Sequence, residues 1–176
     1  MTELRSDEQG IRHNELAHLA GKYLTFNLDN EEYGLEIIKV QEIIGLMPIT
    51  KVPRVPEYMR GVINLRGRII PTIDLRTKFS LERVDDTDRT CIIVVEIEGS
   101  KGKINVGIIV DQVAEVLDIA ANEIDFAPEF GTSLNTEFIL AVGIVKGEVK
   151  ILLDIDKVLT TEEVQAVSSV AAMQAS

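Results

Sequence analysis

Val62-Ile63-Asn64-Leu65-Arg66-Gly67-Arg68-Ile69-Ile70-Pro71-Thr72-Ile73-Asp74-Leu75 returns later in the chain as Val142-Gly143-Ile144-Val145-Lys146-Gly147-Glu148-Val149-Lys150-Ile151-Leu152-Leu153-Asp154-Ile155. Each copy has an apolar run, a basic residue with Gly behind it, a second apolar run, and then Asp with an aliphatic residue. A second echo lies upstream of each copy. Tyr33-Gly34-Leu35-Glu36-Ile37-Ile38-Lys39-Val40-Gln41-Glu42-Ile43-Ile44 matches Val106-Gly107-Ile108-Ile109-Val110-Asp111-Gln112-Val113-Ala114-Glu115-Val116-Leu117. The echoes keep their order and spacing, and Gly, Glu and Asp coincide as well as the apolar positions. One chain making two similar β modules is the expectation. The seam between two modules is a natural place for a partner.

The chain has 176 residues, enough for one large domain or two small modules. Hydrophobic residues make up 45% but aromatics only 5%, and Trp is absent, so the expected core is Ile, Val and Leu, which favours strands. The net charge of -11 repels phosphate backbones and anionic bilayers, which argues against nucleic acid and membrane surfaces as partners. The single cysteine, Cys91, sits in an apolar strand-like run and reads as a small buried hydrophobe. An intrachain disulfide is impossible, which fits a reducing compartment. No apolar stretch reaches the ~20 residues of a membrane span, and the polar N-terminus has no signal-peptide core. A cytoplasmic location is expected, without direct membrane insertion.

Residues 1–20 carry mixed charges and little periodicity and read as a flexible tail. Tyr23–Asp29 alternates, Asn30-Glu31-Glu32 reads as a turn, and Tyr33, Leu35 and Ile37 resume the alternation. Ile37–Ile44 then shifts to a helix-like spacing, so either a short helix or a bent strand follows. Further hairpins are expected at Arg66-Gly67, at Gly99-Ser100-Lys101-Gly102 and at Lys146-Gly147-Glu148, with Gly67 and Gly147 as structural turn residues. Pro71 cannot donate to a ladder and marks an edge or a bulge. Thr77–Asp88 is the polar connector between a first module at about 22–82 and a second at about 88–158. Thr160 and Glu163 have capping-box spacing and open a C-terminal helix at about 161–170, whose Val164 and Val167 are placed to cover a module. About five short strands per repeat suit a small closed barrel, which would also remove sticky edges.

Catalytic chemistry finds no purchase. The two histidines, His13 and His18, lie in the tail, so no nucleophilic triad or usual zinc site can be assembled. Gly99-Ser100-Lys101-Gly102-Lys103 lacks Walker spacing and joins two strands. Asp85-Asp86-Thr87-Asp88 lacks the Gly and terminal Glu of a calcium loop and reads as solvated connector. No dinucleotide fingerprint is present. The expectation is a protein that is not an enzyme, with no cofactor and no metal.

Asn64-Leu65-Arg66-Gly67-Arg68-Ile69-Ile70-Pro71-Thr72-Ile73-Asp74-Leu75-Arg76 resembles the signature of the bacterial chemotaxis coupling proteins, the CheW family. So do Glu32–Ile43, Val106–Val113 and Ala127-Pro128-Glu129-Phe130, and the resemblance spans roughly Gly21 to Val167. It implies a CheW-like domain of two intertwined five-stranded barrels around a shared core, and no catalysis. It further implies a scaffold that links chemoreceptor cytoplasmic tips to the regulatory domain of the histidine kinase CheA, and so recruitment to membrane-associated receptor arrays. The kinase and the coupling-response fusion CheV share the module, but this chain has no room for an ATP-binding or receiver domain.

In that family the positions matching Val40, Glu42, Ile43, Arg66, Val113 and Val116 are associated with receptor contact. Read from the residues alone, the repeat puts Val40 to Ile43 and Val113 to Val116 at equivalent points, so face-to-face modules would let them flank one groove. Helix-in-groove binding uses such aliphatic anchors with a few orienting charges. Burial of all four aliphatics in the core stays open at this point. Arg66 is either a solvated turn residue or reaches Asp74 or Glu42, and Asp74 and Asp154 read as structural acids at the hairpin bases. A different function also stays open: a sensor whose seam encloses a small apolar ligand.

Overall fold

In the computed structural model, which describes residues 16–99, 101–126 and 137–172, the two basic-Gly dipeptides of the repeat are hairpin turns of one type. Arg66 and Gly67 have φ of 52° and 85°, and Lys146 and Gly147 have 53° and 80°. Two successive positive φ values define the type I′ turn, whose twist matches the strands it joins. Glycine takes the second place without steric cost. The first hairpin turns the same way at Asp29 and Asn30 (φ 51° and 69°), slightly earlier than expected, because Asp and Asn tolerate the left-handed region.

The strands are β1 (Gly21–Leu28), β2 (Glu31–Glu36), β3 (Val40–Gly45), β4 (Met59–Leu65), β5 (Arg68–Asp74), β6 (Cys91–Gly99), β7 (Gly102–Val110), β8 (Gln112–Ile119), β9 (Ile124–Asp125), β10 (Ile139–Val145) and β11 (Glu148–Leu153). Single helical turns, α1 (Leu75–Lys78) and α2 (Ile155–Val158), follow β5 and β11, and α3 (Thr161–Ala172) ends the described chain. A six-stranded sheet runs β8-β1-β2-β11-β10-β9 and a five-stranded sheet runs β3-β6-β7-β5-β4. The expectation of a mainly β fold with about five strands in each of two units, short helices and a C-terminal helix holds.

Sheet membership corrects the contiguous modules expected at 22–82 and 88–158. The β1–β2 hairpin sits with the C-terminal strands, and the β6–β7 hairpin sits with β3, β4 and β5. Each repeat lends its first hairpin to the other's sheet. The joints are two parallel pairings, β2 with β11 and β7 with β5. The echoed glycines lie there: a Cβ on Gly34 would come within 2.9 Å of Leu152 Cδ2, and one on Gly107 within 2.8 Å of Ile92 Cγ2.

Three cores follow from this exchange. A large one between the sheets contains Leu24, Phe26, Leu28 and Leu35 from one side and Ile93, Val95, Ile97, Val106 and Ile108 from the other. Each sheet also curls over a small core of its own: Tyr23, Ile119, Ile124, Ala141 and Leu152 in the six-stranded sheet, and Ile63, Ile70, Ile92, Val94 and Ile109 in the five-stranded one. Aromatic residues matter more than their number suggests. Phe26, Tyr33, Phe79 and Phe138 form a continuous stack along the seam, with neighbouring ring centroids 5.7, 5.9 and 4.8 Å apart.

Several expectations need correction. Neither sheet closes into a barrel: β8 and β9 remain edges of one, β3 and β4 of the other. Pro71 lies on an inner strand. Its partner Val62 sends both backbone groups to Thr50, so Val62 and Pro71 exchange no ladder bonds, and pairing of β5 with β7 starts only at Thr72. The tail expected through residue 20 is docked at its end, where Leu16 is buried in the six-stranded sheet's core and the Tyr23 hydroxyl donates to the Leu19 carbonyl at 2.6 Å. The connector is tethered as well as solvated, since Arg60 grips Asp86 with two hydrogen bonds of 2.9 and 2.7 Å. The capping box is present: Thr160 N–H donates to Glu163 and Glu163 N–H donates to the Thr160 hydroxyl. Val167 of α3 is fully buried against the central core, worth about 2 kcal/mol of stability. The Ala127–Phe130 motif lies outside the described residues.

Candidate functional site: two bulged edge strands

β3 and β8 occupy equivalent places in the two sheets, and both are edges. Each carries a bulge at the same point. On β3, Val40 pairs with Val95 and Glu42 with Val94, so Gln41 is the extra residue. On β8, Val113 pairs with Phe26 and Glu115 with Thr25, so Ala114 is extra. An extra residue flips the alternation of a strand. Val40 and Ile43 therefore share the face of Val95 and Ile93, the central-core face. Val113 and Val116 share the face of Phe26 and Leu24 in the same way. This is the source of the helix-like spacing in the sequence: a bent strand, preceded by a single 3-10 turn at Ile37–Lys39. The Thr25 hydroxyl pins the β8 bulge, donating to the Glu115 carbonyl at 2.9 Å and accepting the Glu115 N–H at 3.2 Å.

The four aliphatics divide between support and display. Val40 and Val113 are half-buried against the central core, whereas Ile43 is 44% exposed and Val116 51% exposed. Both strands border Cys91. Its backbone pairs with Gly45 at the end of β3, and its thiol lies beside the backbone of Val113 at the start of β8. Burial nonetheless holds the thiol pKa above its ordinary value, the Val113 backbone opposing it.

Arg66 reaches Glu42, not Asp74. The guanidinium grips the carboxylate with a fork of two hydrogen bonds, Nη1 to Oε1 at 2.9 Å and Nη2 to Oε2. That bond holds the Glu42 carboxyl below its ordinary range and the Arg66 guanidinium above its own. The contact runs from the β4–β5 turn to β3, the opposite edge of the same sheet, so a side chain bridges where no ladder does. Among the described residues no ion pair joins the repeat equivalents, Lys146 and Glu115. Asp74 and Asp154 are the structural acids expected. Asp74 caps α1 through the N–H groups of Arg76 and Thr77, and Asp154 caps α2 through that of Asp156. Their own N–H groups donate to the carbonyls of Tyr58 and Phe138 at 2.7 and 2.8 Å.

The sequence reading missed the roles of Gln41 and Ala114, for which the three-residue aliphatic spacing was the available signal. It also missed the ion pairs that flank the two strands, which no short motif announces. Among the described residues no group of three His, Cys, Asp or Glu side chains is arranged to hold a metal, and His18 is exposed.

Comparison with known proteins places this architecture. The CheW-like domain family matches residues 22–163. The chemotaxis protein CheW of Klebsiella aerogenes is 43% identical over 150 residues, covering 85% of this chain and 88% of that protein. The chemotaxis protein CheW of Bacillus subtilis is 36% identical over 147 residues, 82% of this chain and 90% of the relative. The crystal structure of the scaffolding protein TtCheW from Thermoanaerobacter tengcongensis superposes with a TM-score of 0.73 at 35% identity, covering 82% of this chain and 97% of that one.

Proposed function

This chain belongs to the CheW family, and from that premise we propose that it binds a chemoreceptor's cytoplasmic tip and the regulatory domain of the histidine kinase CheA at once. It is a chemotaxis coupling scaffold, of a family of scaffolds and adaptors. The ligand-sensor alternative gains no support from its relatives. Among the described residues no helix is long and apolar enough to cross a membrane. In this reading the chain does no catalysis and joins receptor arrays through its partners.

The receptor tip, a helical hairpin, would lie between β3 and β8. One observation carries this reading. Matching bulges turn Val40, Ile43, Val113 and Val116 to the same inter-sheet side, and leave Ile43 and Val116 about half exposed at its rim. Half-buried Val40 and Val113 supply a fixed floor, Ile43 and Val116 supply displaced water, and Glu42 with Arg66 supplies charge for register. The kinase takes another surface, since a coupler must hold both partners together.

The test is affinity for each partner on the same folded variants. Truncating an anchor at a binding centre costs about 2 kcal/mol, roughly thirtyfold in affinity. Val40→Ala should show this loss for a receptor cytoplasmic fragment, and Val113→Asp at least as much, because its charge would be desolvated without a partner. Binding to the kinase regulatory domain should persist. Unchanged receptor binding with a collapsed melting temperature would make these residues core alone. Loss of both partners from a stable fold would mean that the two surfaces overlap.

A further inference from the structure

The chain crosses between sheets at Ile37–Lys39, joining β2 to β3, and at Asp111, joining β7 to β8. Each crossing leads directly into a groove strand. At each, one carboxylate ties two things together. Asp111 accepts Arg76 Nε at 2.7 Å and Nη2 at 2.6 Å, and its Oδ2 also accepts the backbone N–H of Asp29 at the tip of the β1–β2 hairpin, at 3.0 Å. Asp156 accepts Lys39 Nζ at 3.0 Å on Oδ2 and the backbone N–H of Glu98, near the tip of the β6–β7 hairpin, at 3.2 Å on Oδ1.

These are one joint built twice with the charges exchanged. Arg76 and Asp156 hold the same place in the repeat, each two residues behind a capping acid. Asp29 and Glu98 follow the equivalent core residues Leu28 and Ile97. In one joint the acid is on the crossing and the base is in α1; in the other the base is on the crossing and the acid is in α2. Apolar burial is non-directional and fixes the relative placement of two packed sheets less sharply than a directed bond does. A carboxylate that bonds crossing, hairpin tip and helix together supplies that direction.

The joints differ in strength. Arg76 is 12% exposed, meets Asp111 through two parallel bonds, and gives Nη1 to the Glu82 carbonyl at 2.8 Å. Lys39 is 37% exposed and makes a single bond to Asp156. A planar buried fork holds geometry better than one bond from a flexible ammonium stem. We infer that the two ion pairs are positioning residues for the groove, with Arg76–Asp111 locking the Val113 side and Lys39–Asp156 leaving the Val40 side as the lip that adjusts to an entering helix. The inference rests on the groove reading above.

The experiment uses the full chain with labelled valine methyls, alone and with a receptor cytoplasmic fragment. Without partner, Arg76→Met should shift and broaden the Val113 methyls and spare those of Val40, while Lys39→Met should do the reverse. Affinity for the fragment should fall about tenfold in Arg76→Met and about threefold in Lys39→Met, with Arg76→Lys recovering part of the loss. A folded Arg76→Met whose Val113 methyls and affinity are unchanged overturns the inference, as do variants that move both sets of methyls alike. Should Arg76→Met not fold, Arg76→Lys and Lys39→Met report on the same two lips. Val113→Ala separates the two readings. If it leaves fragment affinity intact the groove is wrong, and the methyl response still judges the joints.

Discussion

The two sheets come from one repeated pattern and are finished differently. In the five-stranded sheet the inward cross-strand pair is Ile63 with Ile70, both buried. The equivalent pair in the six-stranded sheet is Gly143 with Lys150. Lys150 is 3% exposed and pairs with Glu32 and, at 3.0 Å, with Glu148. The missing side chain at 143 matters, because even a Cβ there would come within 3.3 Å of Ile119 Cδ1. The rims differ too, with Arg66 bridged to Glu42 and no such pair between Lys146 and Glu115. The repeat thus keeps the frame of turns, caps, bulges and glycine joints, while interior and rim diverge. Divergence is where two similar halves can serve two different partners.

The largest expected effect breaks the comparison at its interior. Glu32→Gln leaves the buried Lys150 ammonium with Glu148 alone, a side chain 73% exposed. Burial already lowers the Lys150 pKa. Removing one partner of a buried ion pair should cost about 3 kcal/mol in denaturant unfolding. Replacing both members, Glu32→Leu with Lys150→Met, should restore most of it. If Glu32→Gln is as mild as a surface change, Lys150 is no buried ion and the two interiors are equivalent after all.

A smaller effect sharpens the comparison at the rim. Arg66→Ala frees Glu42 and should weaken receptor-fragment binding roughly fivefold, with Lys146→Ala within about twofold of wild type. Both side chains are exposed, so melting temperature should hardly move. Equal losses at the two turns would show that the bridge has no role of its own.

These differences also mark how far the sequence could be read. Turns, the capping box and the acids at the hairpin bases were legible because they need particular residues at particular φ values or cap positions, as at Gly67, Thr160 and Asp74. Val40, Ile43, Val113 and Val116 were legible as a pair of echoes. The bulges that turn them to one face were not, since a bulge and a helical turn leave the same three-residue spacing. The hairpin exchange, implied by the family resemblance as intertwined modules, was hidden from the residue pattern for a different reason. Contiguous and exchanged modules bury identical residues, so no local pattern separates them. Closure was misjudged because edge protection here comes from bulges and an Arg66–Glu42 bridge, and not from a final ladder.

Acid should divide the molecule further. Hydrogen bonds from Arg60 hold Asp86 below the ordinary carboxylate range. Burial pushes Asp111 and Glu163 up, but bonds from Arg76 and the Asp29 N–H, and from Lys78 and Thr160, leave both lowered. A carboxylate with a depressed folded pKa contributes stability above its unfolded value of about 4 and loses it as pH falls through the folded value. The denaturation midpoint should therefore hold from pH 7 to about 5 and drop below about 4. Asp111→Asn should flatten that drop. A drop of unchanged depth would remove Asp111 from the acid response and weaken the contrast between the two joints.

The smallest effect concerns the residue that touches both edges. Cys91 is half-buried, with its thiol pKa raised, so little thiolate is present near neutrality. The thiolate is the reactive species, and labelling without denaturant should run at least tenfold slower than free cysteine. Position adds a second expectation. Because Cys91 borders both Gly45 and Val113, a helix seated between β3 and β8 should slow labelling further, whereas the kinase regulatory domain should not. The rate thus compares the two partners at one atom. Rapid stoichiometric labelling would place Cys91 in open solvent. Protection by the kinase domain and not by the receptor fragment would move the groove to the other partner, and with it the assignment of the six residues.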